Sequence, residues 1–221
     1  MHRLQKHILY NLTTNPSLPY SKLKPATVEG NLFTYHLHCL MSEDLILKQT
    51  DGKYALTTQG KRLSEGLSLK TMTFSFQPKI VTLIACRDKS GRWLLYRRKR
   101  QPMINMAGFP YGKIHLDEPI AVAAQRELQE KTGLNAKLTH RGDGYITIYQ
   151  DKQLASQIFF HLFTAKNPVG EVKSPNKAGE AFWSNLTNQP NIKLIPSMPD
   201  LIKNINSKSR ERFFCELTYY I

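Results

Sequence analysis

The residues best suited to chemistry in this chain fall in one stretch: Glu118, then Arg126, Glu127, Glu130 and Lys131, framed by Gly112 and Gly133. Carboxylates grouped this closely offer hard oxygen ligands to a divalent cation. Such a grouping suits a metal or phosphate site. On a helix, Glu127, Glu130 and Lys131 stand at i, i+3 and i+4 and share a face. Two carboxylates and one ammonium are therefore aimed at the same place. Solvated helix surfaces carry glutamates at this spacing too, so the spacing alone leaves that plainer reading open.

Positioning these groups takes a loop that feeds a helix. Asp117 is a good N-cap, Pro119 suits a first turn whose missing N–H is harmless, and Gly133 is placed for a left-handed C-terminal cap. The signals predict a helix over about 118–132. Ile120, Ala124 and Leu128 recur every fourth residue as its apolar stripe.

Gly112, Glu118, Arg126, Glu127, Leu128, Glu130, Gly133 and Leu134 also stand at the spacing of the Nudix box. That pattern runs Gly, five residues, Glu, seven residues, Arg-Glu-apolar, any residue, Glu-Glu, any residue, Gly-apolar, and the segment resembles it. Phe109-Pro110 looks like the family's lead-in, and Tyr111 stands where a second glycine is common. The resemblance extends over roughly residues 79–221 and implies an α/β/α sandwich around a mixed sheet. It implies catalytic roles for Arg126, Glu127 and Glu130, with Arg126 orienting a box glutamate. Metal ligation would fall to Glu118, Glu127 and Glu130, with Mg²⁺ or Mn²⁺ as cofactor.

One position departs from the pattern: Lys131 replaces the second glutamate of the pair, a principal metal ligand in the family. A lysine charge about 4 Å from a divalent ion costs about 8 kcal/mol at an effective dielectric of about 20, an upper bound because the side chain can swing into solvent. The metal site should be impaired, and the ammonium is free to hold a phosphate instead. The run Arg97-Arg98-Lys99-Arg100 precedes the box loop, and Arg98, Arg100, Gly112 and Lys131 are the expected ligand-binding residues.

The whole chain of 221 residues has 31 basic and 17 acidic side chains, a formal charge of +14, which draws it toward polyanions. Residues 1–70 carry 9 basic and 5 acidic side chains, so most of the excess lies further on. Cys39, Cys86 and Cys215 have neither metal-ligand nor disulfide-framework spacing, which points to a reduced, intracellular protein. No apolar run reaches membrane-spanning length and the start lacks a signal-peptide core, so a cytoplasmic protein without membrane contact is expected.

Ahead of the box region, helical spacing at Leu4, Ile8, Leu9 and Leu12 is ended by Asn15-Pro16. A short helix near 20–23 follows, then a third helix capped by Thr27 with Phe33, Leu37 and Leu40 buried. Residues 45–49 and 53–56 flank Asp51-Gly52 as a hairpin, and a helix over 58–67 closes the set. This order resembles the winged-helix fold, and implies that Asn31, Thr34, Tyr35 and His38 face duplex DNA while Lys48 and Lys53 meet phosphates. The expected organisation is a winged helix-turn-helix domain at 1–70, a linker at 71–78 with an edge strand over 71–76, and an α/β Nudix-like domain at 79–221.

In the second domain, strands are expected at 79–86 and 93–97 around a turn, an antiparallel pair at 145–150 and 157–164, a late strand at 180–183 and a helix over 199–206. Three functions remain open. One is a DNA-binding regulator, with a homodimer expected, that senses a nucleoside diphosphate-type molecule with weak or no hydrolysis. Another is a metal-dependent pyrophosphohydrolase with an accessory domain, in which Glu180, Glu171 or another late carboxylate replaces the missing ligand. The last is an interaction protein that uses neither site.

Overall fold

The computed structural model describes the whole chain except residues 69, 72, 75, 76, 174, 187–190, 208 and 210. It divides into two compact units, Met1–Gln77 and Pro78–Ile221, so residues 71–77 group with the first.

In the first unit, α1 (Arg3–Thr14) buries Ile8, Leu9 and Leu12 and opens with a capping box between His2 and Gln5. α2 (Tyr20–Leu23) leads to α3 (Gly30–Ser42), which buries Phe33, Leu37 and Leu40. Thr27 is not the cap of α3: it sits in a turn closed by the Val28 N–H to the Pro25 carbonyl, and the cap position falls to Glu29. β1 (Ile46–Lys48) pairs antiparallel with β2 (Tyr54–Leu56), and Gly52 supplies the positive φ that the hairpin turn needs. α4 (Thr58–Glu65) is capped by the Thr57 hydroxyl, which accepts the Gly60 N–H at 2.9 Å. It stops short of Leu67, which instead forms a bridge to Phe74. The edge strand expected over 71–76 falls partly on positions outside the described residues.

The second unit is built on a mixed sheet, eight-stranded among the described residues. Its strands are β3 (Lys79–Arg87), β4 (Trp93–Arg98), β5 (Ala107–Gly108), β6 (Tyr111–Lys113), β7 (Thr139–Gln150), β8 (Gln153–Lys166), β9 (Gly179–Ser184) and β10 (Phe213–Tyr220). The main path runs β10-β7-β8-β3-β4-β5, with β6 paired to β3 and β9 to β4. The β3–β8 and β10–β7 pairs are parallel, and the others are antiparallel.

Two faces of this sheet are covered. Val81, Leu83, Phe160, Leu162, Ile146 and Ile148 pack with α6 (Met198–Ile205) on one side. Ile84, Cys86 and Leu94 pack against Leu128 of α5 (Ile120–Thr132) on the other. β10 was not anticipated, because its alternation of half-buried and exposed residues includes aromatics on both faces.

Helix α5 begins two residues later than the sequence suggests. Asp117 has φ +63° and is not the cap, and Pro119 occupies that position with no side-chain hydrogen bond. Glu118 stays outside the helix because its carboxylate accepts the His115 N–H at 3.0 Å and pairs with Arg126, which fixes the loop before the first turn. Gly133 takes the left-handed conformation expected of it, with φ 80°. Ile120 is 40% exposed and does not belong to the buried stripe, which is Ala123, Ala124, Glu127, Leu128 and Thr132.

Candidate functional site

Arg126 is the hub of the box. Its Nε and Nη2 bind the two oxygens of Glu118 at 2.7 and 2.8 Å, a fork-on-fork pair. Its Nη1 reaches Glu127 Oε1 at 2.9 Å and Glu130 Oε2 at 3.3 Å, and Nη2 also donates to the Lys113 carbonyl at 3.0 Å. This guanidinium holds the Glu118 carboxyl well below the usual range, at about 2. Hydrogen bonds to Glu118, and then to Glu127, push the Arg126 pKa up in turn.

Glu127 is only 6% exposed, which is unusual for a carboxylate and is balanced on both oxygens. Arg126 takes one oxygen, and Lys131 Nζ lies 3.5 Å from the other. The Lys131 ammonium is further enclosed by aromatic faces, 5.4 Å from the Tyr96 ring centre and 6.0 Å from that of Tyr111. Glu130 keeps a side chain 60% exposed.

Gly112 has a steric role in this arrangement. A Cβ built on it would lie 1.6 Å from the Glu127 carboxylate carbon, so only glycine leaves room for that carboxylate against β6. Gly112→Ala is therefore expected to displace Glu127 from both cations and to destabilise the domain by about 1–3 kcal/mol, the usual range for forcing a methyl group into a packed site. The midpoint of thermal unfolding should fall by several degrees. An unchanged midpoint would show that the carboxylate has room to move.

The expected ligand residues divide. Lys79, Arg98, Arg100, Lys113 and Lys131 line a cleft of about 420 Å³ beside Gly112 and Glu127. An adjoining small apolar cavity of about 70 Å³, walled by Leu83, Phe109, Ile146, Ile158, Met198 and Leu201, shares Lys79, Arg98, Pro102 and Tyr111 with that cleft. Arg98 is buried at 6% exposure and donates to the Tyr111 hydroxyl, whereas Arg100 is exposed. The neighbouring cations are taken up elsewhere: Arg97 pairs with Glu180 at 2.7 Å, and Lys99 lies 3.9 Å from the same carboxylate. Glu180 and Glu171 are not among the residues lining the cleft, so neither is placed to substitute for the missing box ligand.

In the first unit, Asn31, Tyr35 and His38 are exposed on α3, while the Thr34 hydroxyl is 3.1 Å from that of Tyr20. Lys53 is paired with Asp51 at 2.9 Å, and Lys48 lies over the Tyr54 ring at 5.8 Å. His36 is buried and stacks on His2 at 4.0 Å. No described helix is long and apolar enough to cross a membrane.

Sequence reasoning overlooked one cluster, His140, Asp143 and His161 on β7 and β8. In a regular strand, residues three apart point to opposite faces, so His140 and Asp143 do not read as partners.

A protein of Methanocaldococcus jannaschii named ADP-ribose pyrophosphatase is 27% identical over 145 residues, covering 63% of this chain and 83% of that protein. Among solved structures, the mutator MutT protein from Bacillus halodurans superposes with a TM-score of 0.51 at 20% identity, over 64% of this chain and 90% of that one. A MutT NUDIX hydrolase from Burkholderia pseudomallei gives a TM-score of 0.51 at 24% identity, over 59% of this chain and 100% of that one. These two structures share the fold. Residues 77–204, more than half of the chain, match the family described as NUDIX domain, and with the box geometry around Arg126 the chain belongs to the Nudix family.

Proposed function

We propose that this chain is a DNA-binding regulator whose Nudix domain binds a nucleoside diphosphate derivative and hydrolyses it weakly or not at all. The observation that carries the reading is the Lys131 ammonium, 3.5 Å from Glu127 and enclosed by Tyr96 and Tyr111. Nudix enzymes generally use divalent metal, and the box residues here do not fit one well. Glu118 and Glu127 are both occupied by cations of the chain itself, and Glu130 stands mostly in solvent. Lys131 supplies the counter-charge, and the cleft of lysines and arginines beside it suits a diphosphate. The adjoining small cavity adds apolar walls, among them Phe109 and Ile146, that a base or ribose would contact. ADP-ribose is the first ligand to try, given the name of the M. jannaschii relative.

The regulatory half of the proposal rests on the first unit. Three helices, a hairpin and a closing helix follow the winged-helix order, and α3 presents exposed Asn31, Tyr35 and His38. In a regulator the two activities are coupled, and the coupling is reciprocal: DNA must change ligand affinity by the factor by which ligand changes DNA affinity. Calorimetric titration of ADP-ribose in the presence of a chelator is expected to give binding that does not need metal, with different affinities for free and DNA-bound protein. Equal affinities would rule out the sensor mechanism.

The competing reading is a metal-dependent pyrophosphohydrolase with an accessory N-terminal module. The exposed Glu130 carboxylate favours it, as a ligand still open to an incoming cation. Hydrolysis of ADP-ribose by the wild-type protein, dependent on Mg²⁺ or Mn²⁺ and lost in Glu130→Gln, would select that reading.

A further inference from the structure

We propose that His140, Asp143 and His161 form a transition-metal site for Zn²⁺ or a related borderline cation, separate from the Nudix box. The three ligand atoms lie within 4.8 Å of one another. Asp143 Oδ1 is 2.8 Å from His140 Nε2 and 2.6 Å from His161 Nδ1, so both imidazoles are turned toward one carboxylate oxygen.

The backbone is built to make this meeting. Between His140 and Gly142 the register of β7 against β8 slips by one residue, leaving Arg141 as a bulge: His140 pairs with Phe163, Gly142 with Leu162 and Asp143 with His161. Without the bulge, His140 would point to the opposite face of the sheet from Asp143. With it, all three side chains share one face, and bulges of this kind commonly re-aim side chains beside functional sites. Arg141 is anchored in its displaced position by hydrogen bonds to the carbonyls of Ser207, Ser209 and Glu211.

Two imidazoles and one carboxylate are the donor set of a catalytic-type zinc centre, with one position open to water or a ligand. Borderline N/O donors of this kind favour Zn²⁺, Co²⁺ or Ni²⁺ over Mg²⁺. Ligand atoms around tetrahedral Zn²⁺ stand about 3.3 Å apart, given metal–ligand distances of about 2.0–2.1 Å, so admitting the ion lengthens the two Asp143–imidazole distances by about 0.5–0.7 Å and brings the imidazole nitrogens together by up to about 1.5 Å. The rings of Phe163 and Phe159 flank His140 and His161, each at 5.2 Å, and form an apolar wall. The side chains of His140, Asp143 and His161 nonetheless keep 23%, 29% and 16% exposure, which leaves a way in.

None of the three lines the cleft beside Glu127. His161 pairs with Thr82 across β8 and β3, and Thr82 pairs with Gly112 across β3 and β6. Two strand spacings of about 4.8 Å thus separate the site from the box, too far for one ion to serve both. Between them, the fully buried Thr82 hydroxyl has no hydrogen-bond partner among the described residues.

The test is titration of tag-free, full-length protein with Zn²⁺ by calorimetry, paired with the visible absorption of the Co²⁺ complex. One equivalent of Zn²⁺ is expected to bind, and Co²⁺ should give the intense bands of a low-coordinate N/O site. Asp143→Asn and His161→Phe should each weaken binding by more than the roughly 10- to 100-fold that loss of an outer partner costs. Glu127→Gln should leave it unchanged. The Co²⁺ spectrum of wild type needs no variant, so a variant that fails to fold does not remove the test. Absence of Zn²⁺ binding in wild type overturns the proposal. So does binding that survives both substitutions, or that is lost instead in His36→Ala.

Discussion

Lys131→Glu is expected to turn a protein with little or no diphosphate hydrolysis into a metal-dependent hydrolase. The ammonium now satisfies Glu127 Oε2 at 3.5 Å. Replacing it with a carboxylate leaves Glu127 and residue 131 as like charges at i and i+4, with Glu130 beside them. In the absence of metal the variant should be less stable than wild type, because a buried carboxylate has lost a partner and gained a repulsion. Mg²⁺ or Mn²⁺ then relieves both, so the unfolding midpoint of the variant should rise with metal concentration while that of wild type stays nearly flat.

Turnover follows from the same change. A bound cation contributes several kcal/mol of transition-state charge stabilisation, and recovering about 3 kcal/mol of it corresponds to roughly 100-fold in rate. The Tyr96 and Tyr111 faces lose their cation, at 5.4 and 6.0 Å in wild type, so ligand binding without metal should weaken in the variant. Wild type and variant would be compared for phosphate or nucleoside monophosphate release from ADP-ribose and related diphosphates. If wild type already turns over with metal and the variant gains nothing, Lys131 is not a lesion and the hydrolase reading stands.

The parts of this site legible in the sequence were those fixed by local chain geometry. Arg126, Glu127 and Glu130 sit on one helix, and Gly133 closes it, because helical spacing and a left-handed cap are local properties. What surrounds Glu127 was not local. Periodicity assigned burial to Ile120, yet the helix starts after Pro119 and turns Glu127 inward against β6, where Gly112 makes the space. Gly112, expected as a ligand contact, lines the cleft and also makes the room for the Glu127 carboxylate, a role that no local pattern signals. The cluster of basic residues before the box likewise gave no sign that Arg97 and Lys99 converge on Glu180, on a strand more than eighty residues away. The His140–Asp143–His161 group was hidden by a bulge, which inverts the period-two rule at a single residue. The expected α/β character and mixed sheet hold for the Nudix domain, while β10 joins β7 in parallel through a connection that no short-range signal marks.

Binding of the first unit to duplex DNA is expected to fall about 100-fold between 50 and 200 mM salt if about four phosphates are neutralised, because each contact releases condensed counterions. The two hairpin lysines should not contribute equally. Lys53 is already paired with Asp51 at 2.9 Å and must break that contact to reach a phosphate, whereas Lys48 lies over the Tyr54 ring and is free of a carboxylate partner among the described residues. Lys48→Ala should therefore lower the salt slope by about 1 and weaken binding uniformly across sequences, and Lys53→Ala should do less. On α3 the order is reversed in kind. Tyr35 is 63% exposed and His38 and Asn31 are exposed beside it, while Thr34 spends its hydroxyl on Tyr20. Tyr35→Ala and His38→Ala should relax sequence choice at a cost of about 1–3 kcal/mol for the preferred site, with the salt slope unchanged, and Thr34→Val should change little. Gel shifts with genomic fragments around the protein's own gene provide the measurement. A failure to retard any fragment at low salt would remove DNA from the proposed function and leave the first unit as a docking or dimerisation module.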